Sequence, residues 1–282
     1  MTNHTEQLTM KLLYLILSFL AAGCGSSKHS QTAQETTSSD SLRKPPYPTI
    51  SIVPDSVELP APVTDKPEQI LRRKGYTASY NKETLMPNWV AWVLTREHTD
   101  GPYTRKGHSF HEDFDVPEPR TLHRDYTHSG WSRGHMCPSG DNKWDSIAQN
   151  ETFLMTNICP QNQNLNNGDW NEMETLCRMW AKKYGRIYIV CGPILPSKEE
   201  ETERIGENKV AVPSGFFKVV LCLEGKPKGI GFVYKNKEGN RPKGDYVNAI
   251  REMERITGYD FFPSLPDDVE EFVEKDANLD DW

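Results

Sequence analysis

Two stretches of this 282-residue chain carry side chains that could do chemistry together. The first is Ser132-Arg133-Gly134-His135, followed by Met136-Cys137-Pro138. The second, residues 156–178, reads TNICPQNQNLNNGDWNEMETLCR and supplies Asn166, Glu174 and Arg178. A neutral imidazole titrates near physiological pH, so His135 is a candidate general base toward water. Arg178, Arg105 and Arg133 carry fixed positive charge in a forked donor geometry that suits phosphate oxygens. Asn166 offers an amide oxygen to a hard cation such as Mg²⁺, which keeps several waters and takes few protein ligands. Glu174 is a candidate holder of a metal-bound water. Gly134 would let backbone come close to an anion. A base, a cation and convergent guanidinium groups are what displacement at a phosphodiester requires. The attacker meets an anionic centre there, and the leaving alkoxide is poor.

Taken singly these residues say little. A lone histidine is usually structural, and Asn-rich loops are common. Glu174 and Arg178, four apart, also fit an ordinary solvated pair on a helix. The elements around them therefore matter. Met173, Leu176, Cys177, Trp180 and Tyr184 recur at the helical period, so 170–184 is expected to be a helix with Glu174 and Arg178 on its flank. Strands are expected over 74–80, 88–95, 186–195, 216–223 and 229–234 from their β-branched and aromatic content. The last two flank Glu224-Gly225-Lys226-Pro227, a hairpin loop. A short helix is expected over 141–150, a short strand over 152–158, and an amphipathic helix over 245–257 stopped by Gly258. Residues 96–124, with Arg105 among them, read as a long polar loop. That order favours an α+β domain with an antiparallel or mixed sheet rather than repeating βαβ units.

With the residues placed, a resemblance emerges. SRGH followed by Met-Cys-Pro resembles the DRGH signature of the DNA/RNA non-specific endonucleases, the ββα-metal nucleases. Pro87 to Trp92, and Thr156-Asn157-Ile158-Cys159-Pro160-Gln161, are similar to further landmarks of that family. Leu165-Asn166-x-Gly168-x-Trp170 keeps the family's spacing of eight residues to Glu174 and four more to Arg178. Gly192-Pro193, Val212-Pro213, Phe216-Phe217-Lys218, Thr257-Gly258 and Phe261-Phe262 continue the match over roughly 69–266. The resemblance implies a central antiparallel sheet of about six strands with a ββα-metal site on its helix-bearing face. It implies sequence-independent cleavage of DNA and RNA to 5′-phosphorylated products, with Mg²⁺ (Mn²⁺ or another divalent cation in its place) as cofactor. Carried over by position, His135 is the general base, Asn166 binds the metal directly and Glu174 binds it through water. Arg178 and Arg105 stabilise the pentacovalent phosphate, and Arg133 belongs to the same catalytic group. The departure is Ser132 where the signature has Asp. It brings no negative charge near His135, so the imidazole pKa is expected to be less elevated. A phosphodiesterase for other substrates, and a catalytically inactive nucleic-acid-binding lipoprotein, are the alternatives.

Composition bounds the rest. Net charge is −7, which argues against a broadly basic nucleic-acid surface. Residues 265–282 alone hold eight acids against Lys275, so the remainder is near neutral and a local basic cleft is allowed. Residues 12–20 form an apolar run too short to span a bilayer, followed by Ala21-Ala22-Gly23-Cys24. This reads as a signal peptide over 1–23, with a possible start at Met10, and a lipobox-like site for lipidation at Cys24. The expected product is an exported lipoprotein anchored in the outer membrane, periplasmic or surface-facing, or a secreted protein if Cys24 carries no lipid. Residues 24–67, rich first in Ser and Thr and then in Pro, read as a flexible tether. The enzyme domain is expected over 68–266 and a solvated acidic tail over 267–282. Cys137, Cys159, Cys177, Cys191 and Cys222 are odd in number, so at least one thiol is unpaired within the chain, and none sits in a CxxC or Cys/His zinc spacing.

Overall fold

The computed structural model describes residues 45–197 and 199–282. The apolar leader, Cys24 and the tether up to residue 44 lie outside the described residues. The elements begin with β1 (Gln69–Arg72), β2 (Thr77–Asn81) and β3 (Met86–Thr95). Next come β4 (Ser132–His135), α1 (Ser146–Glu151), β5 (Ile158–Gln161), α2 (Gln163–Asn167) and α3 (Asp169–Tyr184). Then follow β6 (Arg186–Ile194), β7 (Arg204–Ile205), β8 (Val210–Ala211), β9 (Gly215–Cys222) and β10 (Lys228–Lys235). The chain closes with β11 (Val247–Asn248), α4 (Ile250–Thr257) and α5 (Asp267–Lys275).

Seven strands form one antiparallel sheet in the order β1-β2-β3-β6-β9-β10-β11. Six were expected; the seventh, β11, is a two-residue edge pairing with β10. Side chains of a strand alternate between faces, and here both faces are covered. Val90, Trp92, Leu94, Ile189, Phe216 and Val220 join one core, with α3 and the β4–β5 hairpin packed over them. Trp89, Ala91, Val190, Phe217, Val219 and Leu221 join a second core, covered by α4 and α5. Double coverage is why these strands read as almost unbroken apolar runs rather than alternating ones.

Several boundaries differ from expectation. The strand expected over 74–80 starts only at Thr77, because Arg73 N–H bonds the Tyr76 carbonyl in a turn between β1 and β2; β1 itself lies before the expected range. The helix expected over 141–150 starts only at Ser146, where the Asp145 carboxylate caps Ile147 and Ala148 N–H. The strand expected over 152–158 is largely a turn, and pairing begins at Ile158. Of the helix expected over 245–257, only Ile250–Thr257 forms, since Val247 and Asn248 pair with β10; Gly258 ends it at φ +72°.

The compact unit runs Pro45–Trp282, which corrects both expected ends. In the supposed tether, Val57 is buried in the second core, and Ala61 N–H bonds the Asp260 carbonyl at 2.9 Å. The supposed solvated tail contains α5, whose Val269 and Val273 are buried against the sheet; Glu274 is buried too and pairs with Arg251 at 3.5 Å, while Asp267, Asp268 and Glu271 are exposed. Beyond it, Trp282 packs on Trp180 with ring centroids 4.5 Å apart. The five described cysteines are all buried and none is disulfide-bonded.

Candidate active site

A cleft of ≈ 460 Å³ opens between the β4–β5 hairpin and the α2–α3 helices. Arg105, Arg133, His135, Asn166, Glu174 and Arg178 all line it. The six residues expected to act in catalysis or metal binding therefore come to one place, while Cys24 lies outside the described residues. Three guanidinium groups against one carboxylate make this cleft cationic on a chain of net charge −7.

His135 is the last residue of β4 and is only 7% exposed. Phe110 and Phe153 wall its ring at 5.2 and 5.3 Å. Burial, with a smaller contribution from the Arg105 charge, pushes its pKa down to about 3. This differs from the titration near neutrality expected from the residue type alone. At physiological pH the ring is neutral, and Nε2 has no hydrogen-bond partner among the described residues. Its backbone is fixed: Trp170 Nε1 donates to the His135 carbonyl at 3.1 Å. The next turn is clamped by the buried Asn157, which accepts from Cys137 N–H at 2.9 Å and donates to the Cys137 and Thr152 carbonyls at 2.8 Å.

Gly134 is required for a reason other than anion approach. A Cβ there would lie 2.7 Å from Gln161 Cβ across the hairpin. Ser132, three residues before His135 in an extended strand, projects to the opposite face. Its hydroxyl donates to Gln163 Oε1 at the start of α2. The departure from the DRGH signature therefore acts on α2 and not directly on the imidazole.

Asn166 sits on α2, a single turn that cannot hold itself together by helix propensity. Asn162 caps it, accepting from Asn164 and Leu165 N–H at 2.9 and 3.2 Å. Asn236, on the far side of the sheet order, ties the cap down. It accepts from Asn162 N–H at 2.8 Å and donates to the Pro160 and Pro213 carbonyls at 3.0 and 2.9 Å. Among the described residues the Asn166 side chain engages no hydrogen-bond partner, so its oxygen is free toward the cleft.

Glu174 lies two turns on, on α3. Burial raises its pKa to about 7, against the pull of Lys218, Arg178 and Arg105. The helix pair with Arg178 does not form; Arg178 Nη1 instead donates to Asp141 Oδ1 at 3.0 Å. Arg133 Nη2 donates to the His123 carbonyl at 2.8 Å, and its guanidinium lies over Phe110 and Tyr126. Arg105, on the long loop, lies over Phe110 and Phe153 at 5.7 and 5.6 Å. Its loop is pinned where Asp113 accepts from Arg73 at 2.5 Å and from Thr156 at 2.6 Å.

A family model for the DNA/RNA non-specific endonucleases matches residues 56–268, most of the chain. The chain belongs to the DNA/RNA non-specific endonuclease family. Among its relatives, the mitochondrial nuclease EXOG of Xenopus laevis is 37% identical over 207 residues, covering 68% of this chain and 58% of the relative. Human mitochondrial endonuclease G is 31% identical over 209 residues, 70% of each chain. Nuclease C1 of Cunninghamella echinulata is 32% identical, covering 69% of this chain and 83% of the relative. This chain spans a little under three fifths of the length of the Xenopus EXOG nuclease it matches. In structure, endonuclease G from its complex with EndoGI superposes with a TM-score of 0.65 at 28% identity, over 71% of this chain and 87% of that one. The fold is thus the ββα-metal arrangement, with β4, β5 and α3 framing the cleft.

Within this endonuclease fold, three polar residues of the site carried no legible sequence signal. Asp141 is buried beneath Arg178. Lys218, on β9, is buried with its ammonium over the Trp170 and Trp92 rings at 4.4 and 5.1 Å. The fully buried Gln149, with its amide oriented to match its neighbours, donates to the Ser139 and Asn142 carbonyls and accepts from Arg105 N–H at 3.3 Å. It ties the Arg105 loop to the floor of the cleft. Phe216-Phe217-Lys218 was one landmark of the family resemblance, but nothing in it marked the lysine as a site residue.

Proposed function

We propose that the chain is a divalent-cation-dependent, sugar-non-specific endonuclease that cuts DNA and RNA to 5′-phosphorylated products. The observation that carries this reading is the buried, neutral His135 with an unpartnered Nε2 in one cleft with Asn166, Glu174 and three arginines. His135 Nε2 takes the proton of the attacking water. Arg105, Arg133 and Arg178 hold the phosphate oxygens and oppose the charge that grows on them in the transition state. The donor set fits a hard cation: among the described residues it offers an amide oxygen without a hydrogen-bond partner and a carboxylate, with no His/Cys/Asp/Glu cage. Asn166 would hold Mg²⁺ directly and Glu174 through a water. When bound, that ion supplies positive charge against the developing charge at the phosphate. The contacts are to the backbone of the nucleic acid, so cleavage is sequence-blind and weakens with salt.

The full chain, mixed with plasmid DNA and with RNA in Mg²⁺ or in chelator, tests this. Both are expected to be cut in Mg²⁺ only, and His135→Ala is expected to lower the rate by on the order of 100-fold or more. Failure of the wild type to cut either polymer would leave a phosphodiesterase for other substrates or an inactive binding lipoprotein in its place. Equal rates for His135→Ala and wild type would remove the base assignment. We further propose export and membrane anchoring through lipid on Cys24, on the strength of the apolar run and the small residues before that cysteine. Cys24→Ser should move the protein from the membrane to the soluble fraction; unchanged fractionation would count against the anchor.

A further inference from the structure

We propose that Asp141 is a positioning residue that fixes the Arg178 guanidinium toward the scissile phosphate and keeps it off Glu174. This rests on the reading of the cleft as a nuclease site. The Asp141 side chain is 1% exposed and both of its oxygens are engaged. Oδ1 accepts from Arg178 Nη1 at 3.0 Å, and Oδ2 accepts from Trp92 Nε1 at 3.1 Å. Trp92 is a buried residue of β3, so the carboxylate is anchored to the sheet and not to a mobile loop. Thr175 Oγ1, one turn earlier on α3, accepts from Arg178 Nη2 at 3.0 Å. Gly140 closes the remaining side: a Cβ there would lie 2.9 Å from Arg178 Nη1. The guanidinium is therefore held at both terminal nitrogens while Arg178 lines the cleft.

The choice of partner matters because α3 offers another. Glu174 is four residues before Arg178, the spacing at which a carboxylate and a guanidinium pair along a helix. Such a pair would occupy the carboxylate assigned to the metal water and pull the guanidinium along the helix surface. Asp141 satisfies Arg178 from beneath and leaves Glu174 free. Removing the Asp141 charge is expected to release Arg178 toward Glu174, disabling both residues with one change.

The test is single-turnover cleavage of a defined end-labelled DNA duplex in Mg²⁺ by the full chain. Wild type, D141N, R178A and the double variant are compared. Asn is isosteric and keeps an acceptor for Trp92, so the fold is expected to survive. D141N should slow cleavage by on the order of 10- to 100-fold, the scale of a misplaced catalytic group. It should cause no further loss in the R178A background. Added guanidinium ion should partly restore R178A and not the double variant. Thr175→Val, which removes the other anchor at an exposed helix position, should also slow the wild type and leave R178A unchanged, and it decides the matter if D141N does not fold. A wild-type rate for both D141N and Thr175→Val, or the same fold-loss for each with and without Arg178, overturns the inference while the nuclease reading stands. A wild type that cuts nothing overturns both.

Discussion

At the scale of single residues, the two titratable groups of the cleft are shifted in opposite directions by the same cause. Burial disfavours charge, so it pushes the His135 pKa down to about 3 and the Glu174 pKa up to about 7. The imidazole is then unprotonated well above pH 3 and is not expected to set an acid limb of the proposed activity. Glu174 is expected to: below about pH 7 it is a neutral acid, and above that a carboxylate that could hold the proposed metal-bound water. Because binding to Glu174 requires a lost proton, Mg²⁺ affinity is expected to weaken by up to about tenfold per pH unit below 7. Calorimetric titration of Mg²⁺ at pH 6 and pH 8 measures this. Glu174→Gln should bind Mg²⁺ more weakly but with the pH dependence flattened, and a pH dependence retained in that variant would assign the proton elsewhere.

At the scale of elements, the site depends on short pieces that are stable only because other segments hold them. The β4–β5 hairpin is four residues a side and α2 is one turn. Two asparagines supply what local structure lacks, Asn157 for the turn after His135 and Asn236 for the cap of α2. Asn236→Ala would leave the Asn162 N–H and the Pro160 and Pro213 carbonyls without their partner. At about 1–3 kcal/mol for each unsatisfied buried group, partly relieved by entering water, a loss of about 2–4 kcal/mol is expected. Urea denaturation would report it, together with weaker Mg²⁺ binding through a displaced Asn166. Unchanged stability and metal affinity would show that α2 needs no such anchor. Ser132 belongs to this scale as well, since its hydroxyl contacts Gln163 of α2 rather than the imidazole three residues on.

At the scale of the whole molecule, the sheet needs cover on both faces, and the acidic C-terminal segment provides part of it. Val269 and Val273 of α5 are buried in the second core, and burying a side chain of this kind contributes about 1.5–3 kcal/mol. Truncation after Leu265 is expected to remove about 3–6 kcal/mol, a large part of a typical domain's stability, and to expose the apolar face of β9 and β10. Lower thermal midpoints and aggregation of the truncated protein would be the readout. A truncated protein as stable as the full chain would return 267–282 to the status of a solvated tail. The same acids account for the negative net charge, while the cleft on the opposite face of the sheet stays cationic.

What the sequence determined by itself was everything carried by local periodicity and by ordered landmarks. α3 follows from Met173, Cys177 and Trp180 at the helical period, and the β9–β10 hairpin from two apolar runs about Gly225. His135, Asn166, Glu174 and Arg178 were legible as candidates by residue type, and the roles expected of them came from the resemblance. Arg105, from a loop without pattern, was the least legible of them. The tertiary structure alone decided which partner each charge takes. Arg178 chooses Asp141, 37 residues away, over Glu174 on its own helix, because burial makes the fixed, dehydrated partner the stronger one. It alone decided that His135 is neutral, since that depends on Phe110 and Phe153 closing over the ring. And it alone recruited α5 and residues 45–67, whose few apolar side chains are diluted in the sequence by charge and proline but join α4 in covering the second face of the sheet.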